Sequence, residues 1–128
     1  MTNDYTLPLL KLQSQMAGTP STGYPKPERR MVGNPRRDTW NMVDVVLTPS
    51  RLYCGIWHCE PGHWRIETDA GYHEFFTVLS GRCRVHAADG TWQEAGPGEA
   101  MFIPGGFQGS FEVLEALSKS YAIVSPAA

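Results

Sequence analysis

The chain has 128 residues, a size that accommodates one domain with one core and leaves no room for a second. A hydrophobic share of 41% excludes disorder over most of this length, because that much apolar surface can offset the chain entropy lost on folding. The formal net charge is only −2. No apolar run reaches the roughly 18 residues of a membrane span, and the amino terminus lacks a signal pattern. We therefore expect a cytoplasmic protein with no membrane partner.

The N-terminal arm, residues 1–39, differs in composition from the rest of the chain. Its spacing indicates a weak tendency to helix at Leu7–Met16, and prolines predict extended or irregular structure in the next twenty residues. A basic cluster at 26–37 suggests nucleic acid, but the arm is rich in Pro and Gly and the barrel portion is acidic. We therefore favour an arm that packs on its own barrel or on a partner subunit's barrel, with no nucleic-acid partner.

Residues 40–128 are predicted to form the folded barrel. Short β-rich runs are separated there by turn residues such as Asp89-Gly90, Ser80-Gly81 and Pro104-Gly105-Gly106, and no convincing helix interrupts them. About nine strands at regular spacing indicate an antiparallel sandwich or barrel. The predicted strands are Met42–Leu47, Leu52–Cys59, His63–Glu67, Glu74–Leu79, Arg82–Ala87, Thr91–Glu94, Ala100–Ile103, Ser110–Ala116 and Lys119–Val124.

Two of these strands have a legible alternation of faces. Residues 82–87 alternate arginine and histidine with cysteine, valine and alanine, which is typical of a strand with one wet and one buried face. Glu74, Phe76 and Val78 share a face by the same rule, and His73 points the other way. If Glu74 faces the interior, it lies among large apolar side chains.

Motifs in this region resemble those of the cupins. Glu74 and, after six intervening residues, Gly81 fit the end of the first cupin motif, and "GPGEAMFIPGG" fits the second through Gly98, Pro104 and Gly106. A closer resemblance over residues 52–124 joins "GIWHCEPGHWRIE", "GYHEFFTVLSGRCRV", "PGEAMFIPGGFQGSFEV" and "KSYAIV" to the small DUF861 cupins that include the barrel of the ureidoglycine aminohydrolases. The resemblance implies an all-β, RmlC-like jelly-roll barrel with a small-molecule pocket inside. It also implies a homodimer, which light scattering tests.

The ligands that the resemblance implies for a metal are missing here. Cupins of known activity usually hold one divalent ion with two His and a Glu of the first motif and a His of the second. The paired-His positions fall on Thr68 and Ala70, or one residue earlier on Glu67 and Asp69, and the motif-two position falls on Gly109. We therefore favour a pocket without the usual His-based site.

A metal site of other ligands is the open alternative. Gln108 lies directly before Gly109, and its amide oxygen can coordinate a hard cation. The resemblance implies a Gln at the corresponding position of the ureidoglycine enzymes. Manganese, nickel or zinc would then be the expected ion, and any other cofactor is unknown. The remaining histidines, His58, His63 and His86, are interpreted as ordinary hydrogen-bonding side chains. The candidate metal ligands are Glu67, Asp69, Glu74 and Gln108.

The candidate catalytic residues are Glu74, Lys119 and Tyr121. Lys119 is the only lysine of the barrel portion, and the resemblance carries a Lys and Tyr pair in the last strand, whose alternating positions put both on one face. A Lys and Glu couple in a cleft can exchange protons or bind a zwitterionic ligand. The alternative is that Lys119 is a rim charge paired with Glu112 or Glu115.

The candidate ligand-binding residues are mostly aromatic. They would line the pocket around a small polar ligand of amino-acid or ureide size that meets Glu74, although the aromatic side chains are for the most part explained as core. The set is Trp57, Phe76, Phe102, Gln108 and Phe111.

Two functions remain from the sequence, and whether the chain is an enzyme stays open between them. The favoured one is a small-molecule-binding cupin that lacks the usual metal set. The alternative is a metal-dependent hydrolase similar to ureidoglycine aminohydrolase, which releases ammonia from a small ureide or related C–N substrate. Bound manganese, nickel or zinc would mark the second function.

Overall fold

The protein is all-β in the computed structural model, which describes residues 7–127. This part of the chain contains one 3₁₀ turn at Pro27–Arg29 and no α-helix, so it offers no helix that could cross a membrane. The predicted antiparallel all-β class is confirmed. The strands are β1 Ser21–Gly23, β2 Arg30–Val32, β3 Arg37–Val46, β4 Ser50–Cys59, β5 Gly62–Glu67, β6 His73–Ala87, β7 Trp92–Ala95, β8 Ala100–Ile103 and β9 Gln108–Pro126.

Strand β9 is the centre of the sheet. Along one edge it pairs with β5 through its first part and with β4 through its second part, and along the other edge it pairs with β6. Beyond these, β3 pairs with β4 and β1 with β3, while β2 pairs with β5 and both β7 and β8 pair with β6. All of these pairs are antiparallel.

In two places, two strands that the sequence predicts as separate form one long strand in the structure. The sequence predicts a turn at Ser80-Gly81, but β6 runs through it, with Gly81 at φ 84 and register shifts against β9 between Val78 and Cys83. A β-bulge accounts for this, because it bends a strand without ending its ladder. A side chain at Gly81 would clash with the Ala116 carbonyl. In β9, likewise, the predicted break near residue 117 is absent and pairing passes from β5 to β4.

The arm is attached to the barrel of its own chain. The helical tendency at Leu7–Met16 is not realised, since these residues form no helix. Instead β1 pairs with the start of β3 and β2 pairs with β5, and the Trp40 indole donates to the Gly18 carbonyl at 3.0 Å. The sequence predicts ordered strands only from Trp40 onward, but in the structure the first strand begins earlier, at Ser21.

The core fills the inside of the curved sheet. As predicted, Cys83 and Val85 of β6 are buried while Arg82 and Arg84 lie on the outer face. Phe76 and Val78 are fully buried on the inner face that also carries Glu74, as the alternation predicted. The cluster comprises Cys59, Trp64, Phe76, Val78, Cys83, Val85, Ala95, Ile103, Phe111, Val113, Leu117 and Tyr121.

Candidate functional site

One end of the barrel interior is an open cavity of about 670 Å³. This volume suits a small ligand. The wall mixes aromatic side chains such as Trp57, Trp64 and Phe111 with charged ones from β3, β5, β6 and β9. Glu74, Lys119 and Tyr121, which the sequence nominated as catalytic, all lie on this wall.

Glu74 and Lys119 form an ion pair at the cavity wall. Lys119 Nζ donates to Glu74 Oε2 at 2.7 Å, and the two side chains are 6% and 15% exposed, Lys119 being the more covered. The interpretation of Lys119 as a rim charge is therefore wrong: β9 turns it inward, and the outer-face carboxylates Glu112 and Glu115 pair with His86 and Arg82. Lys119 contacts Oε2 of Glu74, so the carboxylate has further acceptor capacity, at Oε1 above all, to offer a ligand.

Three aromatic rings surround the Lys119 ammonium. Its Nζ lies 4.2 Å from the ring centroid of Phe76, 4.5 Å from that of Trp57 and 4.8 Å from that of Phe111. The faces of such rings attract a cation, most strongly when water is excluded. The rings and Glu74 together hold the ammonium in place, so the carboxylate is the more accessible half of the pair.

Three tyrosines, Tyr53, Tyr72 and Tyr121, line the cavity wall, and the pKa values of Tyr72 and Tyr121 are shifted. The Tyr121 hydroxyl donates to Asn41 Oδ1 at 2.7 Å, and burial raises the pKa of Tyr121. Burial, together with the negative charge of Glu74, raises the pKa of Tyr72 to about 12. Both phenols are therefore protonated at neutral pH, and they act as hydrogen-bond donors rather than as bases.

Arg37 brings a second cation to the same cavity. Its Nη2 donates to the Tyr24 carbonyl of the arm at 2.9 Å, and its guanidinium lies 5.6 Å from the ring centroid of Trp64. Burial lowers its pKa, and no carboxylate of residues 7–127 neutralises it. Sequence reasoning treated Arg37 only as part of the basic arm, because nothing in the sequence shows that β1 and β3 place it at the pocket.

A fixed loop brings two carboxylates to the cavity. Glu67, Thr68 and Asp69, at and just after the end of β5, line the wall. Thr68 Oγ1 donates to the Pro104 carbonyl at 3.0 Å and accepts from Phe107 N–H at 2.8 Å, which fastens this loop to the turn before β9. Besides the Glu74–Lys119 pair, the wall formed by residues 7–127 carries one positive side chain, Arg37, and two negative ones, Glu67 and Asp69.

Three of the predicted ligand-binding residues do not line the cavity. Phe76 is fully buried behind Lys119, in the core. Phe102 is 58% exposed and stacks on His73, with ring centroids 6.0 Å apart. Gln108 is exposed at the start of β9, where it pairs with Glu67. Trp57 and Phe111 do line the cavity.

The cavity does not fit the metal that the cupin resemblance implies. Its wall within residues 7–127 has no histidine, and the Glu74 carboxylate already meets the Lys119 ammonium, which would repel a divalent cation. Glu67 and Asp69 lie on the same wall, but they and Glu74 form no compact ligand group in the described chain. What the arrangement can do is bind a polar molecule through charges of both signs and phenolic donors.

Comparisons with known proteins support the fold. A family model described as the EutQ-like cupin domain matches residues 49–121. A DUF861-family protein of unknown function from Pseudomonas syringae has a TM-score of 0.75 at 21% identity, covering 88% of this chain and 46% of that one. This chain therefore spans less than half the length of the Pseudomonas protein.

Two further solved structures are similar. The Clostridium difficile EutQ protein has a TM-score of 0.61 at 25% identity, covering 73% of this chain and 70% of that one. A putative ethanolamine utilization protein Q from Salmonella typhimurium has a TM-score of 0.55 at 21% identity, with coverages of 75% and 72%. No curated protein matches this sequence. The similar structures share a cupin fold with this chain.

Proposed function

The chain belongs to the EutQ-like cupin domain family. We propose that its barrel binds a small polar molecule of amino-acid size that carries charges of both signs. The observation that carries the proposal is the charge arrangement in the 670 Å³ cavity. Glu74 is paired with Lys119, which leaves Arg37 for an anionic group and Glu67 and Asp69 for an amine. Zwitterions of this kind are the ligand class that the wall matches.

The carboxylate of such a ligand would bind at Arg37. A guanidinium presents planar, paired donors to a carboxylate, and partial burial strengthens the charge interaction. The amine or amide end would reach Glu74 Oε1 and the acidic loop that follows β5. Trp57 and Phe111 supply the apolar walls.

Fewer observations support the alternative function, a metal-dependent hydrolase, than support ligand binding. Its resemblance to ureidoglycine aminohydrolase stays a prediction, and the carboxylate that would be a ligand is paired with Lys119. Without a metal, Lys119 and Glu74 are held together by a hydrogen bond and three aromatic rings, which favours positioning over turnover. We therefore place binding first.

A calorimetric titration tests the proposal. Free amino acids and ureido acids are the zwitterionic and ureide probes, and ethanolamine is the probe that has an amine and no carboxylate. We expect a zwitterion to bind the wild type, and we expect Arg37→Gln to weaken it about tenfold or more, which is about 1.4 kcal/mol. Glu74→Gln should weaken both the zwitterion and ethanolamine.

The matched control is Arg65→Gln. Arg65 is an exposed arginine of β5 that does not line the cavity, so its loss changes the net charge equally and leaves the pocket intact. Equal weakening in Arg65→Gln and Arg37→Gln would contradict the proposal. So would binding that neither Arg37→Gln nor Glu74→Gln changes.

A further inference from the structure

A second cluster of chemically active side chains lies on the outer face of the sheet. Here β9 runs between β5 and β6, with His63 opposite Glu112 and His86 opposite Ser110. The adjacent residues of these strands, such as Trp64 and Phe111, point into the core. The cluster is therefore on the opposite side of the sheet from the ligand cavity.

The three side chains converge over a small buried residue. Ser110 is buried beneath the two imidazoles, whose ring centroids are 4.9 Å apart. His86 Nε2 donates to Glu112 Oε1 at 2.8 Å, and His63 Nε2 lies 2.7 Å from Ser110 Oγ. The ligating atoms of His63, His86 and Glu112 all lie within 4.8 Å of one another.

We propose that His63, His86 and Glu112 bind a divalent transition-metal ion such as zinc. Two imidazoles and a carboxylate are the ligands that zinc and its neighbours prefer, whereas calcium and magnesium take oxygen ligands. Three protein ligands leave a fourth position for water. Each side chain is half-buried, so an ion from solvent can reach the site.

The flanking charges restrict how the site can work. Arg84 and Arg65 lie on the same face as the cluster, opposite Glu112 and Ser110 respectively. Arg84 is turned toward Glu94 at 2.7 Å and lies 4.3 Å from the ring centroid of Trp92. Since these cations oppose a cation, the ion must be held by ligand bonds rather than by a general negative field.

An ion at this position would join strands that share no backbone hydrogen bonds with each other. His63 belongs to β5 and His86 to β6, and within the described chain these strands are connected only through β9. Binding would therefore fasten three strands from their outer face. Because the ion binds the folded state, it should also raise the melting temperature.

Cobalt(II) alone is the probe for the test, added to untagged protein, because its visible absorption reports ligand number and type. We expect one cobalt ion per chain, with the intense bands of a four-coordinate site. His63→Ala and His86→Ala should each bind cobalt about a hundredfold more weakly or worse, since loss of a ligand exceeds the roughly 10–100-fold effect of losing an outer partner. Cobalt should raise the melting temperature of the wild type and not that of the variants.

His73→Ala is the matched control. His73 is an exposed histidine at the start of β6, where it accepts from Gly105 N–H at 2.9 Å and lies opposite Val124, at the other end of the strand from His86. If a histidine variant fails to fold, Glu112→Gln retains the shape of the side chain and should give the same loss of the cobalt bands. Absence of cobalt binding by the wild type overturns the proposal. Binding that is unchanged in both cluster variants, or lost equally in His73→Ala, overturns it as well.

Discussion

Strand β6 carries charged groups on both faces, and the two faces surround them differently. On the inner face Lys119 meets Glu74 at 2.7 Å, with the side chains 6% and 15% exposed. On the outer face Arg84 meets Glu94 at the same 2.7 Å, with the side chains 35% and 27% exposed. Equal distances therefore do not mean equal energies, because water screens the outer pair more strongly, whereas three aromatic rings shield the Lys119 ammonium of the inner pair.

The largest effect is expected when the inner pair is broken. Lys119→Met keeps the apolar stem between the rings and leaves the Glu74 carboxylate without its partner. A buried charge that loses its partner costs 3–5 kcal/mol, and we expect about 3 kcal/mol because Glu74 keeps contact with cavity water. Urea unfolding measures the loss.

The control for that experiment removes both charges. Glu74→Met combined with Lys119→Met should return the free energy of unfolding to within about 1 kcal/mol of the wild type, because no buried charge remains. If the double variant is as unstable as the single one, packing rather than the ion pair explains the loss. The ion pairs of the two faces would then not differ in the way described.

A smaller effect should appear at alkaline pH. Burial and Glu74 raise the pKa of Tyr72 to about 12 in the folded protein, whereas a free tyrosine has a pKa of about 10. The unfolded chain therefore loses its proton first. The contribution of Tyr72 to the free energy of unfolding is fully present below about pH 10, and it should be lost as the pH rises toward about 12.

Tyr72→Phe should reduce this alkaline decline, as measured by urea midpoints on either side of pH 10. The control is Tyr24→Phe, since Tyr24 is an exposed tyrosine of the arm. We expect Tyr24→Phe to leave the decline unchanged. A decline that neither variant alters would show that desolvation at the inner face does not reach Tyr72.

The smallest effect is expected on the outer face. Arg84→Ala removes the hydrogen bond to Glu94 and the contact with Trp92, but Arg82 still donates to Glu94 at 3.0 Å. The unfolding midpoint should stay within error of the wild type, and added salt should make little difference. A loss as large as that of Lys119→Met would contradict the difference between the faces.

Local pattern was enough to predict one half of the inner pair. Period-two alternation placed Glu74 on the face of Phe76 and Val78, and the structure agrees. Alternation alone could not choose the partner: the resemblance offered a couple with Lys119, but a rim pair of Lys119 with Glu112 or Glu115 stayed open. Lys119 lies 45 residues away in sequence, and the pairing of β6 with β9 decides the contact. Where β6 bends at Gly81, a turn and a bulge have the same local sequence signal.

The sequence analysis missed the roles of residues whose positions are set by the order of the strands in the sheet. Arg37 reaches the cavity because β3 lies beside β4 and β1, and His63 and His86 converge because β9 separates their strands by one place. Phe102 was nominated for the pocket from its residue type, yet β8 points it outward. Residue type indicated candidates, and only the order of strands could select among them.

The central position of β9 has a consequence for synthesis of the protein. Without β9, the remaining described strands separate into three groups: β1 with β3 and β4, β2 with β5, and β6 with β7 and β8. A ribosome adds about 5–20 residues per second and makes all three groups before it makes β9. The edges of these groups that pair with β9 stay unpaired until β9 has been synthesised, and unpaired strand edges promote aggregation. The interval before β9 emerges is therefore when unpaired strand edges of this chain are most exposed to aggregation.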